Sequence, residues 1–428
     1  MTKAEDLLTL RSNIRNCKLC GLRGPATQTV PGEGSESASI FIVGEAPGAD
    51  EDEQGRPFVG RAGKVLDQAI EDAGLDRGAL YIHNILSCRP EGNQFPSADS
   101  PAVPACIPFV KRGLTVVQPE VIVALGANAY SSLFDHRKAK ITEDHGKVFM
   151  YLFEGAEGRP YSLPVVLAYH PSYVARKGGA SSREHKELVA DLRLAATISE
   201  PSSEVPELLD GFISRLGEPL DLLAREALRR APDTFLTAPA SSSGKHHPPW
   251  ANRPGGLLSH SLGVAYIAGK IASGMGHEEF VPTMHAAGLL HDLVKWGYGS
   301  HGDKGDYKLH DVITSAYIGM IAERLGIYDD VVRALCAIAT HSGQWGTYQP
   351  RIWYELALHV ADLLMSCKAT PDPIRITMTT GDASMLLSEI GRMQEYIHIP
   401  ESQDVLVQAA AVAGNLTSGF ARPLTRGV

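Results

Sequence analysis

The stretch Ser39-Ile40-Phe41-Ile42-Val43-Gly44-Glu45-Ala46-Pro47-Gly48 decides the architecture of the first half of the chain. Four consecutive apolar residues, three of them β-branched, run into a turn rich in glycine and proline. So short and apolar a run reads as a strand buried on both faces. Three similar runs follow at Tyr81–Leu86, Val121–Gly126 and Val165–His170, with helix-like segments such as Gly63–Ala73 and Ala127–Phe134 between them. Strands alternating with helices predict a parallel sheet covered on both faces, an α/β three-layer domain. In such a sheet, ligands bind beyond the carboxyl ends of the strands. The four predicted strands end at Gly44-Glu45, at Asn84 on the way to Cys88, at Gly126-Ala127-Asn128, and at His170-Pro171-Ser172. A glycine-rich turn, an amide and an imidazole are therefore expected on one edge of the sheet.

At 428 residues the chain is long enough for two or three domains. Apolar residues make up 44% and charged residues 21%, the balance of a soluble globular protein. No apolar run is long enough to span a bilayer, and the charged N-terminus lacks an apolar signal core. A cytoplasmic location and no membrane partner are the expectation. The formal net charge of -9 excludes an indiscriminate polyanion binder but not a local DNA-binding patch. The strand–helix alternation stops after Ile198, where Pro201, Ser202, Ser203 and Pro206 mark a boundary. An amphipathic stretch, Glu207–Arg230, and a polar, proline-rich passage, Ala238–Pro254, precede helical patterns without convincing strands. The expected division is 1–198, a linker and entry segment over 199–254, and an all-α domain over 255–428.

Four of the six cysteines lie early, at Cys17, Cys20, Cys88 and Cys106. In a reducing compartment these are metal ligands rather than disulfides. Four thiolates suit structural zinc or an iron–sulfur cluster, and spacing alone does not choose between them. Cys336 and Cys367, in helical-looking sequence, read as small buried hydrophobes.

The string Gly44–Asp52, then Gly55-Arg56-Pro57-Phe58-Val59-Gly60, resembles family 4 uracil-DNA glycosylases. So do Asn84 ahead of Cys88-Arg89-Pro90, Leu125-Gly126, and His170-Pro171-Ser172-Tyr173. The likeness covers roughly the first 195 residues, with the motifs in the family's order. It implies that Phe58 stacks on a flipped-out uracil, that Asn84 reads its Watson–Crick edge, and that Gly44 lies in the same pocket. It also implies that His170 donates a hydrogen bond to the charge developing on uracil O2. Glu45 and Glu51 match the acidic positions of the first motif, where one carboxylate orients water or stabilises the sugar cation; a slight preference falls on Glu51. Arg56, Arg61, Lys64, Arg89, Arg176 and Lys177 lie near these motifs as candidate phosphate contacts. The resemblance further implies a [4Fe–4S] cluster on the four cysteines, bracing the Asn84 segment. Ser87 stands where many relatives carry lysine, and Glu91–Ala105 matches loosely.

The second half carries His260, His291-Asp292, His310, His341 and Asp362, with Lys295 one turn beyond Asp292. Imidazoles and carboxylates suit hard or borderline divalent ions. The order resembles HD-domain metal phosphohydrolases. That likeness implies a basic metal set of His260, His291, Asp292 and Asp362, completed to a dinuclear centre by His310 and His341. His291 and Asp292 leave a helix about 100° apart, so they can flank one site. Lys295 is placed to hold a substrate phosphate. One or two ions are expected, and manganese, iron, magnesium, nickel and zinc are not distinguished. Phe235-Leu236-Thr237, the His246-His247 pair and Ala339–Gly343 are similar to the HD domains of bacterial 3′–5′ exoribonucleases, although the OB-fold that precedes those domains is replaced here. Val294 also stands where a small residue is common.

Together these features lead to the expectation of a bifunctional enzyme. Its first domain excises uracil from single- or double-stranded DNA, and its second hydrolyses a phosphate ester of a nucleic-acid end or a nucleotide. Two alternatives stay open: an altered-base sensor with an HD effector, and a nucleotide-pool phosphohydrolase.

Overall fold

In the computed structural model the described residues are 2–97, 99–135, 137–155, 158–200, 202, 204–241, 247–296, 310–327, 331–332, 335, 350–366 and 402–417. The chain divides into two compact units, Met1–Pro201 and Ser202–Val428.

The first unit is built on one sheet, in the order β1 (Glu33–Gly34), β3 (Tyr81–Asn84), β2 (Ile40–Gly44), β4 (Val121–Leu125), β6 (Pro160–Ala168), β5 (Val148–Glu154). The four central strands are parallel and both edge strands are antiparallel. Every residue of β2, β3 and β4 is buried, as the continuous apolar runs of β2 and β4 require, and β3 takes His83 and Asn84 inside with them. Around the sheet run α1 (Lys3–Arg15), α2 (Ala49–Gln54), α3 (Arg61–Asp72), α4 (Ala102–Val117), α5 (Gly126–Leu133), α6 (Ile141–Asp144), α7 (Pro171–Arg176) and α8 (Arg183–Ser199). Leu66 and Ile70 of α3 and Leu188 and Leu192 of α8 pack on Ile40, Ile42, Val121 and Val166. On α8, Asp191 is 4% exposed, with His145 Nδ1 3.4 Å away. Burial, and then the neighbouring Glu187, push its carboxyl up to about 8.

The four expected strands are present at their expected places. The edge strands β1 and β5 were not foreseen, and β6 begins earlier than its apolar run suggested. Pairing with β5 extends it back to Pro160.

The described residues of the second unit form helices: α9 (Glu207–Ile213), α10 (Leu220–Arg229), α11 (Asp233–Thr237), α12 (Gly256–Gly274), α13 (Val281–Leu290), α14 (His310–Arg324), α15 (Trp353–Ser366) and α16 (Ser402–Thr417). Helix α10 packs on α13 and α14, so the amphipathic stretch after the boundary belongs to this unit. Helices α12 and α13 approach closely because Gly288 lacks a side chain; a Cβ there would lie 2.3 Å from Ala265 Cα. No helix among the described residues is long and apolar enough to cross a membrane.

Candidate active sites

The first site lies where the strand order predicts, at the carboxyl ends of β2, β3 and β6. A cavity of about 320 Å³ is lined there by Glu45, Pro47, Glu51, Phe58, Asn84 and His170, among others. That volume is at the lower end of the roughly 300–1,000 Å³ typical of small-ligand pockets. Gly44 and Asn84 are paired across β2 and β3, which sets the amide beside the turn. Asn84 is 2% exposed, and its Oδ1 has no hydrogen-bond partner among the described residues. A buried amide oxygen left unpaired costs about 1–3 kcal/mol, so its retention marks a place where a ligand donor fits. Phe58 sits over the same spot with a φ of 53°, a left-handed backbone rarely adopted by a bulky residue. Its ring centroid is 6.1 Å from that of His170. Gly44 makes room for both groups, since a Cβ there would fall 2.3 Å from Asn84 Oδ1 and 2.4 Å from Phe58 Cζ.

His170 caps α7, with Pro171 in the first turn. The Ser172 backbone N–H donates to His170 Nδ1 at 3.1 Å, and the Ser172 hydroxyl lies 2.8 Å from the same atom. A nitrogen that accepts from a backbone N–H carries no proton, so the proton of the neutral ring resides on Nε2. Burial, and then the nearby Arg176, lower the His170 pKa to about 4. The side chain is therefore a neutral N–H donor at physiological pH.

The two carboxylates differ in their surroundings. Glu51 accepts from the Gly48 N–H at 3.0 Å with one oxygen and from the Val59 and Gly60 N–H groups at 2.9 and 2.8 Å with the other. Those bonds tie the turn after β2 to the loop that presents Phe58. Glu45 has no such backbone cradle in the described hydrogen bonds; its side chain is bonded to Asn128 and lies near Arg176. Burial lifts its pKa above the ordinary range despite these two stabilising neighbours.

Cys17 follows the end of α1, Cys20 precedes a 3-10 turn, Cys88 follows β3, and Cys106 lies in α4. Cys88 and Cys106 are buried, and both feel the charges of Cys17 and Cys20. Burial first, then these neighbouring sulfurs, push Cys88 up to about 12 and Cys106 up to about 11. Four converging thiols form a soft donor set that fits a metal, whose binding would displace the protons that burial holds on Cys88 and Cys106.

In the second unit His260, His291 and Asp292 are buried, and their ligand atoms lie within 4.8 Å of one another. Asp362 Oδ1 is 2.9 Å from His260 Nε2 and 3.8 Å from His291 Nε2. His291 Nδ1 donates to the Gly288 carbonyl at 2.8 Å, which turns its Nε2 toward the cluster. This is the usual way a protein orients a metal-binding imidazole. Asp292 presents its two oxygens to different neighbours: Oδ2 to His291 at 3.4 Å and Lys295 at 2.6 Å, Oδ1 to His310 at 3.0 Å. Burial raises its pKa, but Lys295, His291 and His310 together outweigh that and hold it well below the usual carboxylate range. Lys295, whose pKa burial alone would lower, is kept charged by Asp292 and Asp362. Two imidazoles and two carboxylates at this spacing fit a divalent ion.

The description "Uracil DNA glycosylase superfamily" matches residues 31–193, and "HD domain" matches residues 257–366. The type-4 uracil-DNA glycosylase of Thermotoga maritima is 37% identical over 175 residues, which span 86% of that protein and 41% of this chain. That of Archaeoglobus fulgidus is 39% identical over 173 residues, spanning 83% of that protein and 40% of this chain. The type-4 uracil-DNA glycosylase of Pyrobaculum aerophilum is 37% identical over 186 residues, spanning 91% of that protein and 43% of this chain. The chain belongs to the type-4 uracil-DNA glycosylase family. Its second half adds an HD domain, a metal-dependent phosphohydrolase type, so the fusion expected from the two motif sets is present.

In the glycosylase-family domain, Gly44, Glu45, Glu51, Phe58, Asn84 and His170 all gather at the one cavity. Asn128, in the first turn of α5 beyond the end of β4, holds Glu45. Several expected phosphate contacts are tied up within the protein. Arg56 pairs with Glu33 at 2.8 Å, Arg61 donates to the Ala175 carbonyl, and Arg89 donates to Asn93 Oδ1. Arg176 alone of that group lines the cavity. In the HD domain, His260, His291, Asp292, His310, Lys295 and Asp362 come together, while His341, His301, Cys336 and Cys367 lie outside the described residues. His285 packs beneath Gly269 and against Phe212. His247, seen in the sequence only as part of a likeness, stands beside His260 with ring centroids 5.3 Å apart.

Proposed function

We propose that the first domain hydrolyses the N-glycosidic bond of uracil in DNA, single- or double-stranded, and that the HD domain hydrolyses a phosphate ester of a nucleic-acid end or a nucleotide. The observation that carries the first activity is the pairing of an unpartnered Asn84 Oδ1 with a neutral His170 across a pocket roofed by Phe58. A uracil flipped into that pocket stacks on Phe58 and offers its N3–H to Asn84 Oδ1. As the bond between C1′ and N1 breaks, its electron pair leaves with the base. The His170 Nε2–H donates to uracil O2, where negative charge accumulates. Water adds to C1′ of the sugar cation and gives up a proton, leaving an abasic site. Glu45, whose oxygens are not spent on backbone amides, is the carboxylate for that step. Glu51 keeps the Phe58 loop in place. Cys17, Cys20, Cys88 and Cys106 hold a [4Fe–4S] cluster that braces the strap from Asn84 to Cys88.

In the HD domain His260, His291, Asp292 and Asp362 would hold one divalent ion. Asp292, whose second oxygen faces His310, would share with that histidine in holding another. Bound divalent ions supply an activated water and charge neutralisation at the phosphate. Lys295, kept charged at the edge of the cluster, is positioned for a phosphate oxygen.

The test is a gel assay on uracil-containing single- and double-stranded oligonucleotides, with and without manganese, using wild type, Asn84→Ala and Asp292→Ala. Base loss that depends on Asn84 alone, with strand or end hydrolysis that depends on Asp292 and manganese alone, is the expected result. Uracil excision unaffected by Asn84→Ala overturns the first assignment.

A further inference from the structure

The HD-domain match begins at residue 257, yet one side chain from the segment ahead of it reaches the HD cluster. His247 is half-buried, its ring centroid 5.3 Å from that of His260 and the two planes inclined by 60°. It is coupled electrostatically to His260, Lys295, Asp362 and Asp292 at once, so it faces the cluster as a whole rather than one neighbour. Its Nε2 lies 3.2 Å from Ser366 Oγ, near the end of α15, the helix that carries Asp362. The other ring nitrogen, Nδ1, is buried and has no hydrogen-bond partner among the described residues. The backbone is fixed as well, because the His247 carbonyl accepts from Asn252 Nδ2 at 3.1 Å.

His291 shows the same division of labour between its nitrogens, one tied to a protein oxygen and the other turned to the cluster. From this parallel we infer that His247 is a further ligand of the HD metal centre, binding through Nδ1 on the His260 side. Nε2–H then donates to Ser366 Oγ, which fixes the tautomer and the ring orientation. The inference rests on the reading of the HD cluster as a divalent-ion site and extends it into the 199–254 segment. Without that segment the site lacks one of its donors.

The experiment uses the full chain, freed of loosely bound ions by gel filtration and titrated with Mn2+, the free ion being read by electron paramagnetic resonance. His247→Ala is expected to weaken the tightest Mn2+ binding at least tenfold, toward the 10–100-fold losses seen when metal-site support is removed. His247→Gln, which keeps much of the volume, should weaken it as strongly, and added imidazole should restore binding to His247→Ala. Ser366→Ala, which removes only the orienting hydroxyl, should have a smaller effect in the same direction. If both His247 variants keep the wild-type circular dichroism and bind Mn2+ as wild type does, His247 is not a ligand. If wild type itself binds no Mn2+ that Asp292→Ala abolishes, the metal reading of the HD site fails and the His247 assignment falls with it.

Discussion

Replacing Gly44 by alanine would add one methyl group at the point where Asn84 and Phe58 converge. That carbon would sit 2.3 Å from Asn84 Oδ1 and 2.4 and 2.6 Å from Phe58 Cζ and Cε2. Non-bonded heavy atoms rest at about 3.5 Å or more, so each group must retreat by about 1 Å. Neither retreat is easy. Asn84 is paired in the sheet opposite residue 44 itself, and Phe58 is held in a strained left-handed backbone whose flanking amides are bound by Glu51. A misplacement of about 1 Å at a reacting centre costs on the order of 100-fold in rate. Overpacking of this kind costs about 1–3 kcal/mol in stability, which the fold can absorb. The assay is single-turnover excision from a uracil-containing oligonucleotide at saturating enzyme, with phosphoester hydrolysis by the HD domain as an internal control. Excision should fall about 100-fold while the HD activity stays unchanged. A Gly44→Ala protein that excises uracil at the wild-type single-turnover rate would refute both the pocket assignment and the role of the Gly44–Asn84 rung.

The remaining predictions concern charge and metal. Because burial raises the Glu45 pKa above its ordinary 4.5 and the ionised form is required, excision should decline as pH falls through that raised value. His170, held near 4, should add no loss near neutrality; a profile flat to below pH 4.5, or one unchanged in Glu45→Gln, counts against the assignment. Cys88→Ala should lose the visible absorbance of the cluster and excision together, and full excision by a colourless protein would sever the link between them. Asp292→Asn should abolish metal-dependent cleavage of a nitrophenyl phosphodiester and spare uracil excision; retained cleavage would exclude a metal site there. Asp191 binds a proton in the folded state up to about pH 8 but in the unfolded chain only below about 3.8. Folding stability carried by it is therefore lost as pH rises across that window, by at most about 1.4 kcal/mol per pH unit. Asp191→Asn should flatten the pH dependence of denaturant unfolding, and an unaltered slope would rule Asp191 out as its source.

The central sheet was legible because parallel strands buried on both faces leave uninterrupted apolar runs, as Ile40–Val43 and Val121–Leu125 do. The position of the cavity was legible because the strands run out at Glu45, Asn84 and His170, which line it. The edges were not. Val148–Glu154 is a strand with four of its seven residues buried and no clean alternation, and the two residues of β1 leave no pattern at all. Helix α4 was hidden by its prolines, Pro104 in the first turn and Pro108 in the interior, where proline disfavours a helix. Cys106 sits between them, its neighbours set by tertiary packing rather than propensity. The different duties of Glu45 and Glu51 depend on which backbone amides come within 3 Å, and no residue type announces that. In the second unit the spacing of His260, His291-Asp292 and Asp362 anticipated the cluster. The arrival of His247 depends on how a proline-rich segment folds back, which periodicity does not register.

The pairing of Gly44 with Asn84 has one more consequence. Slipping one strand of a sheet by a single residue turns each of its side chains to the opposite face. Here such a slip between β2 and β3 would leave both strands inside the buried sheet, yet it would carry the amide away from the pocket. On the role proposed for Asn84, the identity of the base is encoded as an alignment between two strands as much as in any single side chain. A fault in folding would then surface as a fault in reading, with the protein still intact.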